Sequence, residues 1–166
     1  MGFSAFSRPI NVGSWKDPTA DSPEQHTGQS PMAHAPYFEL HARSAFSFLR
    51  GASRPEALSR RAAAVGLPGI ALCDRDGVYG TARLHADARE QGIRPIVGAE
   101  LTLEDESVLP VLVRTREGYR NLCRLLTQAH LRASKGNPRI RWDELPAHAA
   151  GLSALTGDHE GPIHRA

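Results

Sequence analysis

From residue 37 onward, short apolar runs alternate with amphipathic stretches, and this alternation most constrains what the chain can fold into. A run of four to eight apolar residues fits a buried strand, while apolar residues recurring every three or four positions fit a helix with one buried face. Residues 37–41 read as a first strand. Ser53 and Glu56 make an S-x-x-E pattern, which predicts a capping box opening a helix with Leu58, Ala62 and Val65 on one face, ended by Gly66. "GIALC" at 69–73 predicts a buried strand, 81–91 a second helix, and "RPIVGAELTL" at 94–103 a third strand. "LPVLV" at 109–113 predicts a fourth strand, and Leu122, Leu125, Leu126 and Ala129 give 117–131 the clearest helical spacing. "SKGNP" at 134–138 breaks that helix, "WDELPAHAAG" reads as a short helical turn, and 152–156 as a last strand.

Strands alternating with helices of this length predict an α/β fold, with parallel strands joined by right-handed crossover helices in a sheet or barrel. Functional groups in such folds gather where strands end and loops begin. The positions that matter are therefore 41–43, 74–77, 100 and 157–159.

The rest of the composition sets bounds. The 166 residues carry 40% hydrophobic content, enough to bury a core, and 20 basic against 18 acidic residues, too even a balance to argue nucleic-acid binding. Cys73 and Cys123 lie in apolar contexts without close pairing, so neither a disulfide framework nor a zinc knuckle is indicated, and a reducing cytoplasm is the expected setting. No apolar run approaches the roughly 18 to 20 residues that span a bilayer, and no export signal opens the chain. Residues 1–36 hold five of the twelve prolines and no sustained apolar period. They read as a flexible leader, or as sequence upstream of a domain that starts near Tyr37.

Five segments resemble a known family: "ELHARSAFSFLRGAS", "ALCDRDGVYG", "GIRPIVGAEL", "EGYRNLCRLLTQAHL" and "GLSALTGDHEGP". In this order and at these separations they are similar to the N-terminal PHP (polymerase and histidinol phosphatase) domain of bacterial family C DNA polymerases. "NLCRLLTQAHL" and "WDELPAHAAGL" look most like the error-prone branch of the DNA polymerase III alpha subunit, used in DNA replication and damage-tolerance repair. The resemblance covers 37–166 and implies an incomplete PHP-type (β/α) barrel, since a complete domain of the family continues further. It also implies that the polymerase (nucleotidyltransferase) carboxylates lie downstream, so that this chain alone does not polymerise DNA. Gene fragment, split-gene product and independent module all remain open.

In the resembled family the barrel mouth holds two or three metals. Histidine and carboxylate lone pairs bind the divalent cations, which activate water and clamp phosphate oxygens for phosphoester hydrolysis. Matched position by position, His41 fits the first histidine of an H-x-H pair, Arg43 occupies the second, and Arg50 replaces an acid. Arg75 stands for the histidine of a "TDH" turn, and Val108 falls where another histidine is expected. Only His41, Glu100 and Asp158 could still ligate zinc or manganese.

Arginine is physically an anti-ligand, because a guanidinium keeps its proton, offers no lone pair and repels a divalent cation. The expectation is therefore no working metal site and no cofactor. Arg43, Arg50 and Arg75 are expected to fork onto acids among Glu100, Asp74, Asp76 and Asp158, replacing metal cross-links with charge-assisted hydrogen bonds. A second reading has the arginines bind a phosphate of DNA or nucleotide.

Other features read as structural. His85, His130 and His148 are expected to be helical surface or packing residues, His159 and His164 carry little weight, Phe46 and Phe48 are expected to pack beneath the first loop rather than stack on bases, and Gly98 is expected to be a close-packing position. The functional expectation is a non-catalytic scaffold or interaction module contacting a polymerase core or other polymerase subunits, with DNA contacted only indirectly and no membrane. The rival expectation is a residual metal-dependent phosphoesterase or 3'-5' exonuclease.

Overall fold

A computed structural model of the chain describes residues 36–165. All of the expected leader except Pro36 lies outside them. The elements are β1 (Glu39–Ala42), α1 (Pro55–Ala64), β2 (Gly69–Arg75), α2 (Thr81–Glu90), β3 (Arg94–Thr102), β4 (Val108–Val113) and α3 (Arg116–Arg132). A 3-10 turn (Trp142–Glu144), α4 (Leu145–His148), β5 (Leu152–Ala154) and α5 (Pro162–Arg165) follow. The five strands form one sheet in sequence order, an incomplete α/β barrel wall.

β1, β2 and β3 pair in parallel through the helical crossovers that the sequence predicts. β4 is the exception and runs antiparallel to β3. Residues 103–107 are too few for a parallel connection, which needs a dozen or more, so the chain must turn straight back. Glu106, at φ 64°, takes the left-handed conformation in that turn.

β5 in turn opposes β4, and so runs in the direction of β1–β3. α3 carries the chain back toward the start of β4, where Ile140 bridges Leu103. Residues 141–151 then return it, and the Arg114 N–H donates to Gly151 O at 2.9 Å. β5 therefore begins beside the end of β4, and its exit is delivered to the end of the sheet where β1, β2 and β3 finish.

Two apolar layers cover the outer face. Ala62, Leu84, Ala88 and Ile93 from α1, α2 and the following turn pack on Ile70 and Leu72 of β2. Leu122, Leu125, Leu126 and Ala129 of α3 pack on Ala99, Leu101, Leu103 and Val111, so the helical spacing read from sequence is the buried face. On the opposite face a smaller cluster joins Ala71, Cys73 and Leu112.

The helix starts differ in one place. No capping box forms at Ser53: α1 begins at Pro55, behind an extended Arg54 without side-chain cap. Proline at the first helical position fixes φ and holds the preceding residue extended, which moves the start past the serine. The expected stop is present, with Gly66 at φ 75° and the Leu67 N–H donating to Ala62 O at 2.9 Å.

Gly98 sits where β3 meets its neighbours. A Cβ there would lie 2.5 Å from Cys73 Sγ and 2.8 Å from Val111 O. Gly98→Ala is expected to destabilise the protein by about 1–3 kcal/mol through overpacking, read from the midpoint of guanidinium unfolding; an unchanged midpoint would show that the contact is relieved without cost.

Candidate functional site

Side chains alternate between the two faces of a strand. On β2, Ala71, Cys73 and Arg75 share the face opposite the helices, and the β2–β3 register sets Arg75 directly beside Glu100. β1 contributes His41, Arg43 stands just beyond the end of the strand, and the turn beyond β5 contributes Asp158 and Glu160. One end of the sheet thus gathers side chains separated by up to about 120 positions in sequence.

Glu100 is the centre of this group and is fully buried. Its Oε1 accepts from His41 Nε2 at 2.7 Å and from Arg43 Nε at 2.5 Å, and its Oε2 accepts from Arg75 Nε at 2.8 Å. An ionised carboxylate only accepts, so the His41 proton sits on Nε2, the atom that faces the site. Arg43 Nη2 also donates to Asp158 Oδ2 at 2.6 Å. Arg75 Nη2 donates to Glu160 Oε2 at 3.0 Å, and Arg50 Nη1 donates to the same oxygen. Three guanidinium groups meet three carboxylates, so formal charge balances without an added ion.

Glu160 is the partner that the sequence reading missed. The available signal was charge: three arginines converging on Glu100 and Asp158 leave one positive charge over, and Glu160 is the next acid in "GDHEGP". Val108, at the expected histidine position, is buried at the start of β4, and its N–H donates to Glu160 O at 2.8 Å. It helps hold the turn through the backbone.

Asp74 and Asp76, named as possible arginine partners, are occupied elsewhere. Asp74 lies on the face opposite Cys73 and Arg75, and accepts from the Ser44 N–H at 2.8 Å and the hydroxyls of Ser44 and Ser47. These bonds fold the 44–51 loop that carries Arg50. Asp76, at φ 51°, accepts from the Thr102 N–H at 2.8 Å and its hydroxyl at 2.7 Å. Its carbonyl oxygen accepts from His130 Nε2 at 2.7 Å, tying the turn to α3.

Electrostatics follow from this pairing. Burial would raise the Glu100 carboxyl, but hydrogen bonds from His41 and Arg75 and the charges of Arg75 and Arg43 outweigh it and hold it below the usual range. Asp158, opposed by burial, is brought down to about 2 by Arg43 and the Glu160 N–H. Glu160 is lowered in the same way by Arg50 and Arg75. Burial, reinforced by the charges of Glu100 and Asp74, pushes the Cys73 thiol up to about 12, so it is no thiolate donor. Burial also raises Asp76, against the hydrogen bonds from Thr102.

These residues as placed do not fit a divalent metal. Both Glu100 oxygens are taken by N–H donors, His41 presents a proton, and Arg43 holds the space between Glu100 and Asp158. Among the described residues no group of three or more His, Cys, Asp or Glu is arranged to hold a metal ion.

A family model described as PHP domain matches residues 39–166. The chain belongs to the PHP domain family. Curated relatives of this PHP domain include the "Error-prone DNA polymerase" of Anaeromyxobacter dehalogenans (strain 2CP-C), 43% identical over 78% of this chain and 13% of the relative. A protein of the same name from Mycolicibacterium paratuberculosis is 39% identical over 96% of this chain and 17% of the relative. The PHP chain thus spans less than a fifth of the length of either. Among solved structures, an amidohydrolase from Chromobacterium violaceum aligns with 26% identity and a TM-score of 0.46, over 57% of this chain and 33% of that one.

Removing the hub should cost far more than removing its rim. Glu100→Ala leaves two guanidinium groups and an imidazole without their shared partner and is expected to destabilise by about 3–5 kcal/mol. Arg50→Ala, at a side chain 40% exposed, is expected to stay within about 1 kcal/mol of wild type. Urea unfolding of the two variants measures the contrast, and equal effects would deny Glu100 its central place.

The pH dependence has a definite sign. A carboxyl held below its unfolded value adds stability that is fully present above that value and lost as pH falls through the folded one. For Asp158 the loss runs from its ordinary 3.8 down to about 2, and Glu100 adds a loss in the same direction that begins at its ordinary 4.5. Asp76 acts oppositely, since its ionisation in the fold costs stability. Unfolding free energies across this window are expected to fall as pH is lowered, and Asp158→Asn is expected to flatten the slope.

Proposed function

We propose that this PHP domain is a non-catalytic module in which an arginine-carboxylate lattice takes the structural place of a metal cluster. The observation that carries the reading is Glu100, fully buried, with both oxygens engaged by His41, Arg43 and Arg75. A phosphoester hydrolase of this kind needs cations that activate water and hold phosphate oxygens. Here the positive charge is supplied by guanidinium groups already neutralised by carboxylates, which leaves neither an activated water nor net charge for a phosphate.

Similarity to proteins named error-prone DNA polymerase supports a role beside a polymerase, as a scaffold or contact domain for its core or other subunits, in replication and damage-tolerance repair in the cytoplasm. DNA is then reached through the partner. The described residues contain no helix long and apolar enough to cross a membrane.

Metal content of the purified protein, together with hydrolysis of p-nitrophenyl phosphate and single-stranded DNA in added zinc or manganese, tests the reading. Substoichiometric metal and no turnover above background are expected. Stoichiometric metal with turnover abolished by Glu100→Gln would instead establish a phosphoesterase or exonuclease using His41, Glu100 and Asp158.

A further inference from the structure

The loop between β1 and α1 does not bury its apolar residues. Phe46 and Phe48, expected beneath this loop, are both exposed on it, Phe48 to 83%, and Leu49 is 89% exposed. Leu49 also takes the left-handed conformation, at φ 60°, which a leucine keeps only when its surroundings enforce it. The enforcement comes from below. The buried Asp74 carboxylate holds Ser44 and Ser47, the Arg75 N–H donates to Ser47 Oγ at 3.0 Å, and the Arg50 and Gly51 N–H groups donate to Ser47 O. Phe46 leans on Tyr79, with ring centroids 6.5 Å apart. Phe48 and Leu49 are thus a fixed apolar projection, ordered before any partner arrives. Its flanks are basic: residues 43–54 hold Arg43, Arg50 and Arg54 and no acid. Arg43 and Arg50 are engaged with Asp158 and Glu160, whereas among the described residues exposed Arg54 has only Glu56 beside it, at 3.8 Å.

A complementary surface lies across the turn at 157–161. Leu109, Trp142, Leu155, Pro162 and Ile163 line an open groove of about 750 Å³ with Asp105 among them, and Ile163 is 70% exposed. Glu104 and Asp105 are exposed acids there, and among the described residues neither is ion-paired; they accept instead from the backbone and indole N–H groups of Trp142. The groove's Arg165 donates to Glu106 O at 2.6 Å. Projection and groove flank the same turn, because Arg50 of the loop donates to Glu160, two residues before α5 begins at Pro162.

One molecule therefore carries an apolar projection with basic flanks and an apolar groove with acids beside it. Their nearness allows a two-fold axis to exchange them between copies. We propose that the chain forms a symmetric dimer in which Phe48 and Leu49 of each copy enter the groove of the other beside Trp142 and Ile163, with Arg54 facing Glu104 and Asp105. The proposal is independent of the reading of the Glu100 site.

Sedimentation equilibrium of the full chain across a concentration series, with circular dichroism to establish folding, tests it. Wild type is expected to pass from monomer to dimer, and to need a higher concentration in high salt, which screens the charge pairs. One variant combines Phe48→Ser with Leu49→Asn, since asparagine tolerates the left-handed conformation, and the other is Ile163→Asp in the groove. Each is expected to weaken the dimer by about 10-fold or more. A mixed pair keeps one intact contact, so the two variants together are expected to form a 1:1 heterodimer at concentrations where each alone is monomeric. A wild type that stays monomeric throughout would overturn the proposal. So would a dimer that survives either variant, which would pair tip with tip, groove with groove or other surfaces, and so would a mixture that gains no heterodimer. If either variant is unfolded, Phe48→Ala or Ile163→Ala replaces it, judged by the same outcomes.

Discussion

Glu100 is a buried negative charge, and its surroundings answer that fact. A lone carboxylate in a protein interior is strongly disfavoured unless cations and hydrogen-bond donors surround it. His41 from β1, Arg43 from the loop beyond it and Arg75 from β2 converge on its two oxygens. Those guanidinium groups have further donors to satisfy, which recruits Asp158 and Glu160 from the turn after β5. The lattice thereby ties the first strand to the last turn.

The backbone makes this convergence possible in two ways. The short hairpin reverses β4, and the double pass through α3 and residues 141–151 restores direction for β5, so its exit turn reaches the ends of β1–β3. Asp74, on the opposite face of β2, holds Ser44 and Ser47 and so shapes the loop that presents Arg50. Apolar packing of the helices on the outer face fixes the sheet against which both devices act. The lattice holds loop ends together around buried charge.

Much of the fold was legible because it depends on local periodicity. Leu122, Leu125, Leu126 and Ala129 mark the buried face of α3 from spacing alone, and Gly66 marks the end of α1 from its conformational freedom. The α1 start was misplaced because Ser53–Glu56 satisfied a local pattern while Pro55 imposed a stronger backbone restriction. The antiparallel course of β4 was in principle readable from the shortness of 103–107, a length that excludes a crossover.

At the site, the residue types were legible and the partners were not. The sequence itself supplied the arginines and acids, and its family resemblance implied that Arg43, Arg50 and Arg75 stand at metal-ligand positions beside His41, Glu100 and Asp158. It could not assign Asp74 to the serines or Asp76 to Thr102, because those choices follow from which strand face each carboxylate occupies and how the turn beyond β2 bends. Charge counting called for one more acid, but that Glu160, 60 residues beyond Glu100 in the chain, supplies it was decided by where the turn after β5 lies. Residue chemistry is a property of sequence, but the pairing of charges is decided by distance in three dimensions, and only the tertiary fold sets those distances.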